Sequence, residues 1–280
     1  MGVNRKREVK QGISVLACWI VLACMPVTAS SQVDRTRGGP ANSGNITQRY
    51  TINTAEPGNV ELVTDPAGSG RTVVRVRVRD TDRKVVGGSR TEISPIREYV
   101  REGIRWYAIS VYFPSDWQFH PRPTVVGQLH TSQKTTVVPP PVSFVARDRN
   151  LYLELHFNHR RIDGADPVTQ QNSARQLIRL HAIRTEQWYC FVVRADWSFT
   201  PGKGALWIWL NGDKVYEAIN SHNAYVTWLG HYPKTGLYLP GKMTIPERIL
   251  FTDFIHVGGA KTNVATMSAL TPCGEAAGPK

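Results

Sequence analysis

The chain is short of cysteine, of acidic residues and of long apolar runs, and each shortage excludes something. Four cysteines in 280 residues are too few for a disulfide-built scaffold, so a hydrophobic core must carry the fold. Asp and Glu number 22 against 34 Lys and Arg, a formal +12. That excess calls for an anionic partner or a reason to tolerate self-repulsion. No apolar run reaches the ~18–20 residues that cross a bilayer as a helix. No window holds a helical period through three turns, and the chain has no internal repeat and no low-complexity tract beyond Pro139-Pro140-Pro141. His, Cys and Glu never fall at the spacing of a tetrahedral zinc set, so zinc is not expected; no cofactor is expected either, and a structural calcium is left open. Turn residues, by contrast, are abundant: Gly 23 and Pro 18 make about one residue in seven. Hydrophobic residues reach 41%, enough to bury a core, and wholesale disorder is excluded.

The first 29 residues read as a cleaved export signal. Arg5, Lys6, Arg7 and Lys10 form a basic segment, and Gln11 to Cys24 is mostly apolar until Pro26 breaks it. Val27-Thr28-Ala29 supplies small residues where a signal peptidase cuts. A lipoprotein signal ending at Val21-Leu22-Ala23-Cys24 fits less well. Cleavage leaves 30 Lys and Arg against 21 Asp and Glu, or +9, in a secreted or periplasmic protein. Only Cys190 and Cys273 remain; an oxidising compartment could join them, or they stay as two buried thiols. Residues 30–48 are polar and rich in Gly, Ser and Asn, a flexible lead-in, and 49–280 read as one domain.

That domain reads as strands. Arg71 to Asp80 alternates Val74, Val76 and Val78 with Arg75, Arg77 and Arg79, a period of two with one basic face. Further strands are expected at 104–113, 124–130, 142–146, 151–157, 176–183, 188–195, 205–210, 214–218, 234–239 and 248–257. Asn211-Gly212 between WIWL and DKVYE is the strongest hairpin signal. Many short strands with Gly, Pro and Asn turns predict an all-β fold, a two-sheet antiparallel β-sandwich of jelly-roll, concanavalin-A-like type.

Three segments carry chemistry. In Gln128-Leu129-His130 the strand period puts an amide and an imidazole on one face and Leu129 in the core. In Tyr232-Pro-Lys234-Thr-Gly236-Leu-Tyr238, a cation and two phenols share a face, with a gap at Gly236 where a polymer can approach the backbone; Pro233 implies an irregular start. In Arg90-Thr91-Glu92-Ile93 a cation and a carboxylate share a face. Each also has a plain reading: a surface pair, a snorkelling lysine between sheet tyrosines, a cross-strand ion pair.

Taken together and in order, RTEI, QLH and YPKTGLY resemble the signature of jelly-roll polysaccharide lyases of the alginate-lyase type. The text around them, with Trp106-Tyr107 before ISVYFP and Trp207-Ile-Trp-Leu-Asn-Gly212, is similar to the heparin-lyase-I-like and glucuronan-lyase group. The resemblance covers about residues 60–258. Two departures bear on specificity: Ser94 stands where the alginate-lyase motif has a second arginine, and Leu239-Pro240 replace Asn-Gln.

The resemblance implies β-elimination on an anionic, uronate-containing polysaccharide: removal of the C5 proton, loss of the 4-O substituent, and an unsaturated product. Charge building on the C6 carboxylate needs stabilisation, for which Gln128 and Arg90 are the natural donors. His130 is a base available at neutral pH. Tyr238 can protonate the leaving oxygen, or act as base if a cation depresses it. Lys234, Tyr232, Glu92, His156, Arg75 and Arg77 are expected to bind substrate. Arg75, Arg77 and Arg79 also fit the solvent face of an edge strand, His156 a residue without a role, and Trp207 and Trp209 the core. Asn158-His159-Arg160-Arg161 begin a polar loop that would rim a cleft. A non-catalytic lectin-like sandwich is the alternative. A nucleic-acid partner lacks any recognition motif; a monomer without a membrane span is expected.

Overall fold

Alternation in the sequence becomes burial on one side of each strand. The computed structural model describes residues 46–132, 138–158, 172–241 and 243–275. Along β3 (Thr72–Arg79), Val74, Val76 and Val78 are fully buried while the arginines between them reach outward. Seven strands form one antiparallel sheet, in the order β1 (Tyr50–Thr54), β4 (Gly88–Pro95), β13 (His231–Pro240), β6 (His120–Thr131), β7 (Val142–Asp148), β8 (Asn150–Phe157) and β9 (Ala174–Ala182). The second sheet runs β12 (Asp213–Ser221), β11 (Gly204–Leu210), β10 (Gln187–Trp197), β5 (Gly103–Phe113), β14 (Glu247–Thr252), β3 and β2 (Val60–Thr64). A short β15 (His256–Gly258) also pairs with β5. Ile93, Leu129, Phe144, Leu153 and Leu237 of the first sheet meet Tyr107, Ile109, Phe191, Ile208 and Leu250 of the second in a single core. Phe144 stacks on Phe191 at 3.9 Å between ring centroids, which ties the two layers together. This is the all-β jelly-roll sandwich expected.

The turns follow their residues. Asn211 and Gly212 both take positive φ, 52° and 94°, as a two-residue hairpin matched to the strand twist requires. Pro233 does not loosen the start of its strand; it lies inside β13, opposite Leu129. The stretch 248–257 is broken into β14 and β15. Residues 46–48, expected in the lead-in, belong to a helical turn, α1 (Ile46–Arg49), with Ile46 buried, and the rest of the expected lead-in lies outside the described residues. The expected export signal lies outside the described residues.

The C-terminal segment covers the outer face of the second sheet. Met267, Val264 and Leu270 around α2 (Val264–Ala269) pack on Trp106, Ala108 and Val192. Asn263 caps that helix by accepting from the Thr266 N–H. Within α3 (Pro272–Glu275), Cys273 is joined to Cys190 of β10 by a disulfide closing 83 residues. Trp207 and Trp209 are not in the core between the sheets. They lie half-buried on this same outer face, Trp209 stacked on Trp106 and Trp207 under the Arg194 guanidinium at 4.1 Å.

Candidate active site

Burying Ile93, Leu129 and Leu237 in the core turns their neighbours to the opposite, outer face of the first sheet. Cross-strand register then collects them. Arg90 lies opposite Tyr238, and Glu92 opposite Gly236, between β4 and β13. On the other edge of β13, Lys234 faces Gln128 and Tyr232 faces His130 of β6. The register slips between Thr235 and Tyr238. Gly236 has φ +131° there, and a Cβ would lie 2.3 Å from the Thr91 carbonyl oxygen. Only glycine lets β13 pass β4 this closely.

Glu92 is the hub. Its carboxylate is 2% exposed. It lies 3.3 Å from Arg90 Nε and 3.4 Å from Lys234 Nζ, and it accepts a hydrogen bond from the Gln128 amide. The carboxylate fixes that amide, because the reverse orientation would set two oxygens against each other. One N–H of Gln128 is therefore spent on Glu92 and the second remains to be donated. Arg90 also lies over the Tyr238 ring, 4.0 Å from its centroid. Glu92 and Lys234, both expected to bind substrate, are almost wholly buried and pair with each other.

His130 donates Nδ1–H to the Thr131 carbonyl oxygen at 2.8 Å. That bond selects the tautomer whose Nε2 lone pair is available. Burial, and then the Lys234 charge, push the imidazole down to about 4, against weaker opposition from the backbone bond and Glu92. The ring is thus neutral at pH 7. Tyr232 lies beside it, ring centroids 5.6 Å apart. Burial chiefly, with Tyr99 and Glu92, pushes the Tyr232 phenol up to about 12, so it stays protonated.

The remaining expected residues divide. His156 is on the same sheet face, on β8. It is buried, with Nε2 3.1 Å from Glu154 Oε1 and Nδ1 3.4 Å from Ser173 Oγ. Arg75 and Arg77 are not part of the site. They belong to β3 in the other sheet, where Arg75 pairs with Glu61 and Arg77 with Glu247. Nor is β3 an edge strand, since β14 and β2 flank it. Asn158 donates to the Asn172 carbonyl at 2.7 Å; His159, Arg160 and Arg161 lie outside the described residues. Ser94 donates to the Pro233 carbonyl oxygen, so it braces β13.

Two neighbours escaped sequence reasoning. Tyr99 packs at a tilt against Tyr232, ring centroids 5.0 Å apart; the Val100–His231 bridge brings it there, and no local pattern announces it. Glu154 was legible, because Leu-Glu-Leu-His puts it on the face of His156. Among the described residues no group of His, Cys, Asp and Glu is placed to hold a metal, and no helix is long and apolar enough to cross a membrane.

An antiparallel jelly roll with an Arg, Gln, His, Lys and Tyr set on one sheet face is an architecture of polysaccharide-cleaving lyases. The sequence pattern of the polysaccharide lyase family matches residues 41–256, and the chain belongs to that family. Among solved structures it is similar to the endo-β-1,4-glucuronan lyase of the fungus Trichoderma reesei. The two share 19% identity and a TM-score of 0.58 over 72% of this chain and 87% of that one. Alginate lyase A1-II' aligns at 17% identity and a TM-score of 0.51, over 79% of this chain and 100% of its own. Alginate lyase vAL-1 from Chlorella virus aligns at 13% and 0.50, over 78% and 97%. Among curated protein sequences none matches.

Proposed function

We propose that this polysaccharide lyase is exported and cleaves a uronate-containing polysaccharide by β-elimination. The observation that carries the reading is the Glu92-centred network, which holds two cations and an oriented amide on the same sheet face as a neutral imidazole and a phenol. A C6 carboxylate seated there meets Arg90 and the second N–H of Gln128, donors to the charge that develops as the C5 proton leaves, and Lys234 adds its positive field from beneath. His130 Nε2 takes that proton, being unprotonated above about pH 4. Tyr238, protonated, delivers its hydroxyl hydrogen to the departing 4-oxygen. The electron pair of the C5–H bond becomes the C4–C5 double bond as the C4–O bond breaks. Likeness to glucuronan and alginate lyases supports a 1,4-linked uronate, and the disulfide supports an oxidising compartment.

The test is a panel of glucuronan, alginate and heparin read by the ultraviolet absorbance of the unsaturated product. Tyr238→Phe keeps the ring and its packing, and turnover should drop ~10²–10⁴-fold with polymer affinity nearly unchanged. Full activity of that variant on a substrate the parent cleaves would sink the mechanism.

A further inference from the structure

The outer face of the first sheet extends well beyond the Glu92 cluster. Two unbroken rows of cross-strand neighbours lead away from it. Gln128, Ser143, Glu154 and Leu177 face one another from β6 to β9, and Tyr238, Val125, Val145, Tyr152 and Arg179 do so from β13 to β9. Directly opposed residues share a face, so the edge strand presents Leu177 and Arg179 on the side of the cluster. Arg175, opposite His156, joins them. With ~4.8 Å between strands, Leu177 lies ~14 Å from Gln128 and Arg179 ~19 Å from Tyr238 along the sheet.

The two arginines are held alike. Arg175 donates Nε to Glu154 Oε1 at 2.6 Å, and Arg179 donates Nε to Asn150 Oδ1 at 2.8 Å. Both acceptors stand on β8. A guanidinium held through Nε has its plane fixed, and its Nη edge remains for bidentate contact with an acid group. Both arginines are exposed. Leu177 between them is 41% exposed, an apolar floor on a face otherwise polar at this edge. Glu154 is not a bare carboxylate beside them: Arg175 pairs with it, and His156 Nε2 lies 3.1 Å from its Oε1.

We infer that Arg175, Leu177 and Arg179 form a distal subsite. It takes the carboxylate or ester sulfate of a sugar several residues from the scissile bond, with Leu177 beneath the pyranose ring. The inference rests on the reading of an anionic glycan as substrate. It also gives part of the excess positive charge a function: a second pair of cations on the cluster's own face, reached only by long chains.

Binding is measured in the Tyr238→Phe background, which removes cleavage, with end-labelled glucuronan and heparin fragments, short (di- and trisaccharide) and long (hexasaccharide and above). Replacing Arg175 and Arg179 together by Ala should weaken binding of long fragments roughly tenfold or more. Binding of short fragments and the thermal midpoint should not change. Lys at both positions keeps charge without the fork and should fall between. Whichever polymer shows the arginine dependence identifies the acid group. Equal loss for short and long fragments, or no arginine-dependent binding of either polymer, overturns the subsite. If arginine-dependent binding is found but the parent releases no unsaturated product from any uronate, the elimination reading fails and the subsite stands. If the parent cleaves and the double variant keeps the same KM on polymer, the subsite fails and the elimination reading stands.

Discussion

Removing the Glu92 carboxylate should be the most damaging single change in the site. Glu92→Ala leaves Arg90 and Lys234 buried at 7% and 3% exposure without their shared counter-charge. At an effective dielectric of ~20, each contact near 3.3–3.4 Å is worth ~5 kcal/mol of gross attraction. Most of that offsets the cost of taking three charges out of water. Deleting one partner of a buried ion pair typically destabilises by ~3–5 kcal/mol, against a total of ~5–15 kcal/mol for a domain. With a urea m-value of ~3 kcal/mol/M, the midpoint should move down by ~1–1.7 M. Turnover should fall as well, because the Gln128 amide loses the group that orients it. The cross-check is Lys234→Met in the same chain. Removing the stranded ammonium should restore part of the stability but not the activity, giving a non-additive cycle. An unchanged urea midpoint for Glu92→Ala, or strict additivity with Lys234→Met, would refute the hub.

The acid limb of kcat/KM should lie near pH 4 rather than near 6.5, with activity lost as pH falls through it, because His130 must be neutral. Lys234→Met removes the cation that depresses His130 and should move that limb upward; a pH–rate profile of both chains decides. His231 is fully buried against Trp197, and burial holds its ring neutral down to about 3. Its folded pKa is below its unfolded value, so its share of stability is present above ~6.5 and declines by up to ~1.4 kcal/mol per pH unit below that. Urea midpoints from pH 7 to 4 should fall more steeply in the parent than in His231→Gln. Cutting the disulfide by Cys273→Ser reopens an 83-residue loop, which on the loop-entropy account costs at most ~4–5 kcal/mol. Activity of the folded fraction should persist, since the bridge joins the other sheet. Salt should weaken polymer turnover as the Debye length shrinks from ~10 Å to ~3 Å; salt-independent turnover would contradict a polyanionic substrate.

What could be read from the residues was local, and what could not was long-range. Alternation along Val74–Arg79 and around Leu129 gave the strands and which residues share a face. It could not tell which sheet a strand joins, and so Arg75 and Arg77 were grouped with a site that lies in the other layer. The three motifs were legible because each puts its polar residues on one face. Their meeting depends on β4, β13 and β6 lying side by side, with Glu92 and Lys234 separated by 142 positions. That Glu92 is buried between Arg90 and Lys234 is a matter of depth, which period-two logic does not carry. Tyr99 illustrates the same limit: a single bridge at Val100 delivers it. The cysteines could be counted but not paired until β10 and α3 were in contact.

The strap formed by α2, α3 and the Cys190–Cys273 bridge has a practical side. It occupies the outer face of the eight-stranded sheet, while the Glu92 cluster lies on the outer face of the seven-stranded one. Two layers of sheet, ~10 Å apart, stand between them. Ala269 on α2 is exposed, and a thiol introduced there gives a coupling handle directed away from the incoming polymer. Enzyme fixed to a bead through that position should digest long chains as freely as enzyme in solution, whereas coupling through β9 should block them.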